Sequence, residues 1–181
     1  MHQNSGNNAP PTTAAKTMDQ ETLEFAQKVL QLVRAGDSAR LEPLLERGLP
    51  PNLCSHKGDN LLMLASYHGH FDTARLLLEH GADPEMRNDS GQTPIAGAAY
   101  KGDLAMVQLL LDHGANVEGA SPDGKTALML AAMFNRTEVA ELLLARGANI
   151  DARAANGMTV LDAANAMGAA DTSALLARRR D

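Results

Sequence analysis

Gly91–Glu118 reads GQTPIAGAAYKGDLAMVQLLLDHGANVE, and Gly124–Asp151 reads GKTALMLAAMFNRTEVAELLLARGANID. Superposed at an offset of 33 residues, the two stretches align Gly on Gly, Thr on Thr and one Leu triplet on the other. The same offset runs outward along the chain. Gly58, Gly91, Gly124 and Gly157 form one series, and Gly48, Gly81, Gly114 and Gly147 a second. Gly36, Gly69, Gly102 and Gly168 form a third, in which Asn135 fills the missing slot. A period of this size marks stacked supersecondary units, each too small to bury its apolar face alone.

Each unit carries the punctuation of two short helices. Thr93-Pro94 offers an N-cap hydroxyl and then a proline at the first helical position, where the missing N–H costs nothing; Asn60, Thr126 and Thr159 hold the equivalent cap. The helices that follow, LLMLASY, PIAGAAY, ALMLAAM and VLDAANA, are rich in small residues that let a neighbour approach closely. A second helix is expected to open near Asp72, Asp103 or Glu138 and to close before Gly81, Gly114 or Gly147. His80, His113 and Arg146 suit its carboxyl end. The segments between units are polar and turn-rich.

Gly91–Asn116 resembles the ankyrin repeat, whose T-P-L-H-x-A opening and turn-plus-two-helices plan share this length. The resemblance extends from about Thr22 to the C-terminus. It implies an all-α fold: an ankyrin-repeat solenoid of helix-turn-helix units joined by short β-hairpin-type loops. On this frame, residues 19–54 are an N-terminal cap repeat, 55–87, 88–120 and 121–153 are full repeats, and 154–181 are a C-terminal cap repeat. Met63, Ala96, Met129 and Asp162 stand where the family pattern has histidine. Pro43 stands where the other units have Leu76, Leu109 and Leu142, so the second helix of the first unit is expected to start late or bend. Residues 1–18, composed mainly of Asn, Pro, Thr and Ala, bury too little to offset their ordering entropy and are expected to be a disordered tail.

Composition agrees with a soluble solenoid. Of 181 residues, 44% are hydrophobic, yet aromatics make up only 3% and tryptophan is absent, which suits short helices packed through Ala and Leu. A net charge of -6 disfavours phosphate backbones and anionic lipid, so nucleic acid and membrane are not expected partners. The lone Cys54 makes no internal disulfide, the opening residues lack a secretory pattern, and no apolar run is long enough to span a bilayer; the expected location is cytoplasmic.

Few motifs invite catalysis. Gly119–Thr126 satisfies G-x-x-x-x-G-K-[ST], the phosphate-cradling pattern, but the repeat already accounts for Gly124 and Thr126, and no buried strand precedes Gly119. A nucleotide-binding enzyme built on it is the alternative reading, and a structural or oligomerising repeat protein another. His68 and His70 sit two apart, with His56 in the preceding loop, but no further ligand completes a metal set. No cofactor, metal or small-molecule substrate is expected, and no acid/base pair stands out. Arg178, Arg179 and Arg180 read as compensation of a helix dipole.

The informative positions are those that vary between units. Tyr67 and Tyr100 occupy one slot, followed in register by Met133; the adjacent slot holds His68, Lys101 and Phe134. The resemblance implies that these slots and the loop tips line a concave face that binds a protein partner. Lys57, Asp59, Asp89, Gln92, Asp123 and Lys125 are the loop-tip candidates, and the chain is expected to be monomeric by itself. Tyrosine, phenylalanine and methionine are enriched at interface centres, which favours this use over simple packing between units.

Overall fold

The computed structural model describes residues 13–180, and all regular structure among them is helical. Helix α1 (Thr13–Ala35) pairs with α2 (Ser38–Glu46), α3 (Leu61–His68) with α4 (Phe71–Glu79), and α5 (Pro94–Lys101) with α6 (Leu104–Asp112). Two further pairs follow, α7 (Ala127–Met133) with α8 (Thr137–Ala145), and α9 (Val160–Ala166) with α10 (Ala170–Arg180). The first helices of the pairs stack side by side in one layer and the second helices in another, each touching the next along the row. The expected all-α solenoid is the observed fold.

Columns of in-register residues form the core. Ala65, Ala98, Ala131 and Ala164 are all 0% exposed, and so are Leu77, Leu110, Leu143 and Leu176. The alanine column draws the first helices together, and the leucine column fills the space between the two layers. Every glycine of the three sequence series has positive φ, the conformation that turns the chain after helices in two of the series and within the connecting loops in the third. Asn135, in the slot without a glycine, has φ 55 and is the only non-glycine with positive φ among the described residues. Isolated antiparallel bridges at Cys54–Asn60, Ala120–Thr126 and Arg153–Thr159 give the connecting loops their hairpin character.

Hydrogen bonds with the same period tie unit to unit. The side chains of Asn52, Glu85 and Glu118 accept from the backbone N–H groups of Asp83, Asn116 and Asn149 at 2.8, 2.8 and 2.6 Å. In the next slot, Asp151 pairs with Arg180 at 2.9 Å, so that terminal arginine does more than oppose a dipole. At the opposite edge, His70 Nε2 donates to the Arg34 carbonyl at 2.8 Å and its ring covers Gly36, where a Cβ would meet Nδ1 at 2.6 Å. Arg136 does the same two pairs later, donating from Nε to the Tyr100 carbonyl at 3.1 Å across Gly102.

Local details depart from expectation in three places. Helix α2 does not start late: Asp37 Oδ1 accepts from Arg40 N at 3.1 Å and fixes the start ahead of Pro43, which lies in the helix interior. The carbonyl that proline leaves without a donor belongs to Ala39, and both residues are on the exposed side of the helix. Thr93 occupies the N-cap of α5, but its hydroxyl makes no cap bond, whereas Asn60, Thr126 and Thr159 bond Met63 N, Met129 N and Asp162 N at 2.7, 3.3 and 3.1 Å. Helix α1 starts at Thr13, so residues 13–18, expected in the tail, have helical backbone. The tail expected over residues 1–12 lies outside the described residues.

Asn60 is 0% exposed and also donates from Nδ2 to the Met86 carbonyl of the next loop at 3.2 Å. Asn60→Ala is therefore expected to cost about 2 kcal/mol in urea unfolding, with Asn60→Thr recovering the cap but not the bond to Met86. Pro43→Ala is expected to raise stability in the same measurement by about 1–3 kcal/mol, because it restores an interior helix bond.

Candidate functional site

A groove of about 780 Å³ lies between the helices α3, α5 and α7 and the tips of the loops that precede them. Tyr67 and Tyr100 stand in it at the carboxyl ends of α3 and α5, 48% and 39% exposed. Lys57, Asp59, Gln92, Asp123 and Lys125 line it from the loop tips. Seven candidate residues drawn from three separate units thus meet around one cavity.

The other candidates lie at or beyond its rim. Lys101 Nζ sits 4.3 Å from the centre of the Tyr67 ring, a cation–π contact across the boundary between units. His68 stands edge-on to the same ring, with centroids 5.6 Å apart. Met133 and Phe134 are half-buried at the end of α7, and the Phe134 ring packs edge-on against Tyr100 at 4.5 Å. The aromatic stripe is therefore two clamped pairs, Tyr67 with Lys101 and Tyr100 with Phe134, in place of a row of free rings. Asp89 is exposed at its loop tip, with its carboxylate over Gly58. Sequence reasoning missed the helical floor of the groove, where Leu64, Gly97 and Leu130 occupy one repeat slot. The signal available was Gly97, which belongs to none of the three glycine series.

Charge in the groove is unevenly satisfied. Asp123 pairs with Lys125 at 2.8 Å and accepts from the Ser121 hydroxyl, and these partners hold its carboxyl down at about 2. Asp59 Oδ1 accepts from Asn88 Nδ2 at 2.9 Å. Lys57 and Lys101 have no carboxylate partner among the described residues. Burial, with smaller contributions from His70, Arg34 and Lys101, lowers the pKa of His68 and favours a neutral ring. Cys54 is shifted the opposite way, since burial and then Asp89 and Asp59 oppose its thiolate.

The phosphate-cradle match has none of the required geometry. Lys125 is held by Asp123, the amides of Gly119 and Gly124 already donate to the Asn116 and Ser121 carbonyls at 3.0 and 2.8 Å, and α7 beyond them is seven residues long. His70 is engaged with the Arg34 carbonyl, and no group of three or more metal-capable side chains occurs among the described residues. Nor, among those residues, is any helix long and apolar enough to cross a membrane.

The family model for ankyrin repeats matches residues 29–121 as three copies, and a single-repeat model matches residues 123–155. The chain belongs to the ankyrin repeat family. Helices α9 and α10 lie beyond the matched spans. Among curated proteins, one of Pseudomonas aeruginosa named as an ankyrin repeat protein is 65% identical over 59 residues, which is 33% of this chain and 34% of that protein. The chain thus spans about a third of the length of that relative. Ankyrin repeats are generally protein–protein interaction modules and typically not enzymes.

In this ankyrin repeat chain the Asp123 carboxylate has a testable signature. Its depressed pKa means that the native state favours the charged form, so its contribution to stability is complete above the ordinary aspartate pKa of about 4 and disappears as pH falls through about 2. Carbon-13 NMR titration should find its midpoint near about 2. In Lys125→Met the midpoint should rise toward the ordinary range; an unchanged midpoint would show that Lys125 does not hold it.

Proposed function

We propose that this ankyrin repeat chain is a non-catalytic interaction module, a scaffold, adaptor or inhibitor, that holds one protein partner along the groove. The observation that carries this reading is the exposure of Tyr67 and Tyr100 in a cavity whose framework columns are already filled. Large amphipathic side chains that the core does not need are the groups enriched at interface centres. Lys57, Asp59, Gln92, Asp123 and Lys125 would form the polar rim from the loop tips, with His68, Lys101, Met133 and Phe134 along the opposite edge and Asp89 just outside. A solenoid of this size can supply the roughly 800 Å² per partner of a standard interface. In this reading the module works as a monomer in the cytoplasm, where a single thiol stays reduced.

The double variant Tyr67→Ala with Tyr100→Ala tests it. Its melting curve should match the wild type within a few degrees, because surface truncations change stability little. A protein captured by the wild-type chain from lysate and identified by mass spectrometry should no longer be retained by the variant. Undiminished retention of that protein would place binding elsewhere.

A further inference from the structure

One helix of the groove starts without a cap. Helices α3, α7 and α9 each close their first turn with their own N-cap side chain: Asn60 bonds Met63 N, Thr126 bonds Met129 N and Thr159 bonds Asp162 N. At the start of α5 the equivalent pair is Thr93 and Ala96, and the bond between them is missing. Among the described residues, no acceptor takes the Ala96 N–H and no group pairs with the Thr93 hydroxyl. In the last unit the Ala96 slot holds Asp162, whose carboxylate completes a capping box; Ala96 offers no such group. Thr93 is 3% exposed and Ala96 8%, and both line the groove. Polar groups so far buried are ordinarily paired, and the groove is the side from which an acceptor can reach these two.

The unpaired donors set the chemistry of what binds. The loop tips impose no sign of their own, since Lys57, Lys101 and Lys125 are matched by Asp59, Asp89 and Asp123. What remains is an N–H and an O–H at the positive end of an eight-residue helix, an arrangement that favours a carboxylate over a neutral carbonyl. The chain uses a carboxylate in this way itself, where Asp103 caps α6 by accepting from Met106 N at 3.0 Å. Building on the groove reading above, we propose that α5 takes its cap from the partner protein: an Asp or Glu side chain of the bound segment enters the groove and accepts from the Ala96 N–H and the Thr93 hydroxyl.

A phage-displayed library of random linear peptides, panned on the full chain, provides the probe. The expected winners share one Asp or Glu, and replacing it by Asn or Gln in a synthetic peptide should weaken binding about tenfold. On binding, the Ala96 amide proton should move downfield in nitrogen-15 correlation spectra, and that of Met129, which Thr126 already holds, should move less. Thr93→Asn gives α5 the residue that caps α3 and so supplies the acceptor from within. Its melting temperature should equal or exceed that of the wild type, and on this variant the peptide's acidic residue should lose most of its tenfold advantage. Thr93→Val removes a hydroxyl that bonds nothing in the free chain, so it should leave the melting temperature unchanged and weaken the peptides about threefold or more. Winners without a shared acidic residue, or no enrichment over an unrelated control protein, would overturn the cap. An acidic residue worth as much on Thr93→Asn as on wild type would overturn it too; if those peptides are lost from Tyr67→Ala with Tyr100→Ala, the groove reading still stands. Peptides indifferent to the threonine and to the tyrosines would overturn both.

Discussion

A helix of seven to nine residues is not stable in water, because too few of its residues repay the cost of nucleation. Helices α2 to α9 are all of that length, so lateral packing has to supply what each lacks. The alanine and leucine columns do this by removing the same side chains from water in unit after unit. Alanine is needed in the first-helix column because a larger side chain would push the neighbouring helices apart. Leucine in the second column supplies the larger apolar area buried between the two layers. Stability is thus shared between neighbours, and the end units depend on inward contacts alone.

Such a core leaves most of the remaining surface free to vary. Tyr67 and Tyr100 are held by the column beneath them, and their exposed rings are steadied from the next unit, one by Lys101 and the other by Phe134. The side-chain-to-backbone bonds of Asn52, Glu85 and Glu118 fix the loop tips relative to one another in the same stepwise way. On the proposed reading of the groove, rigid spacing of loop tips and rings lowers the ordering cost of binding.

Most of the fold was legible because it rests on strict recurrence. The three glycine series marked the chain reversals, and Asn135 stood in the one slot where only a residue tolerant of positive φ would serve. The features that could not be read depend on distances between units. Nothing in the sequence distinguishes the hydroxyl of Thr93, which makes no cap bond, from that of Thr126, which does. The late start expected from Pro43 does not occur because Asp37 caps the helix ahead of it, and the tolerance of Pro43 inside α2 turns on exposure, which the sequence does not show. At the site, loop tips and tyrosines were legible as variable slots, but the helical floor was not, since Leu64 and Leu130 look like framework residues until the cavity above them is seen.

Departures from a repeat's own columns then sort by what compensates them. Asn135 replaces a glycine, and its side chain accepts from Asp171 N and Thr172 N at 3.1 Å each, so it caps the last helix as well as reversing the chain. Asn60 replaces a threonine and gains a bond to Met86. Pro43 replaces a leucine at an end unit, where one flank has no neighbour to fill. Each asparagine has a structural return within the chain, whereas Pro43 costs a helix bond at the periphery of the row. Gly97 has none: it gives up helix propensity and apolar contact at the centre of the solenoid, with neighbours on both sides. On the proposed reading of the groove, such a local loss without a local gain is where selection for binding departs from selection for folding.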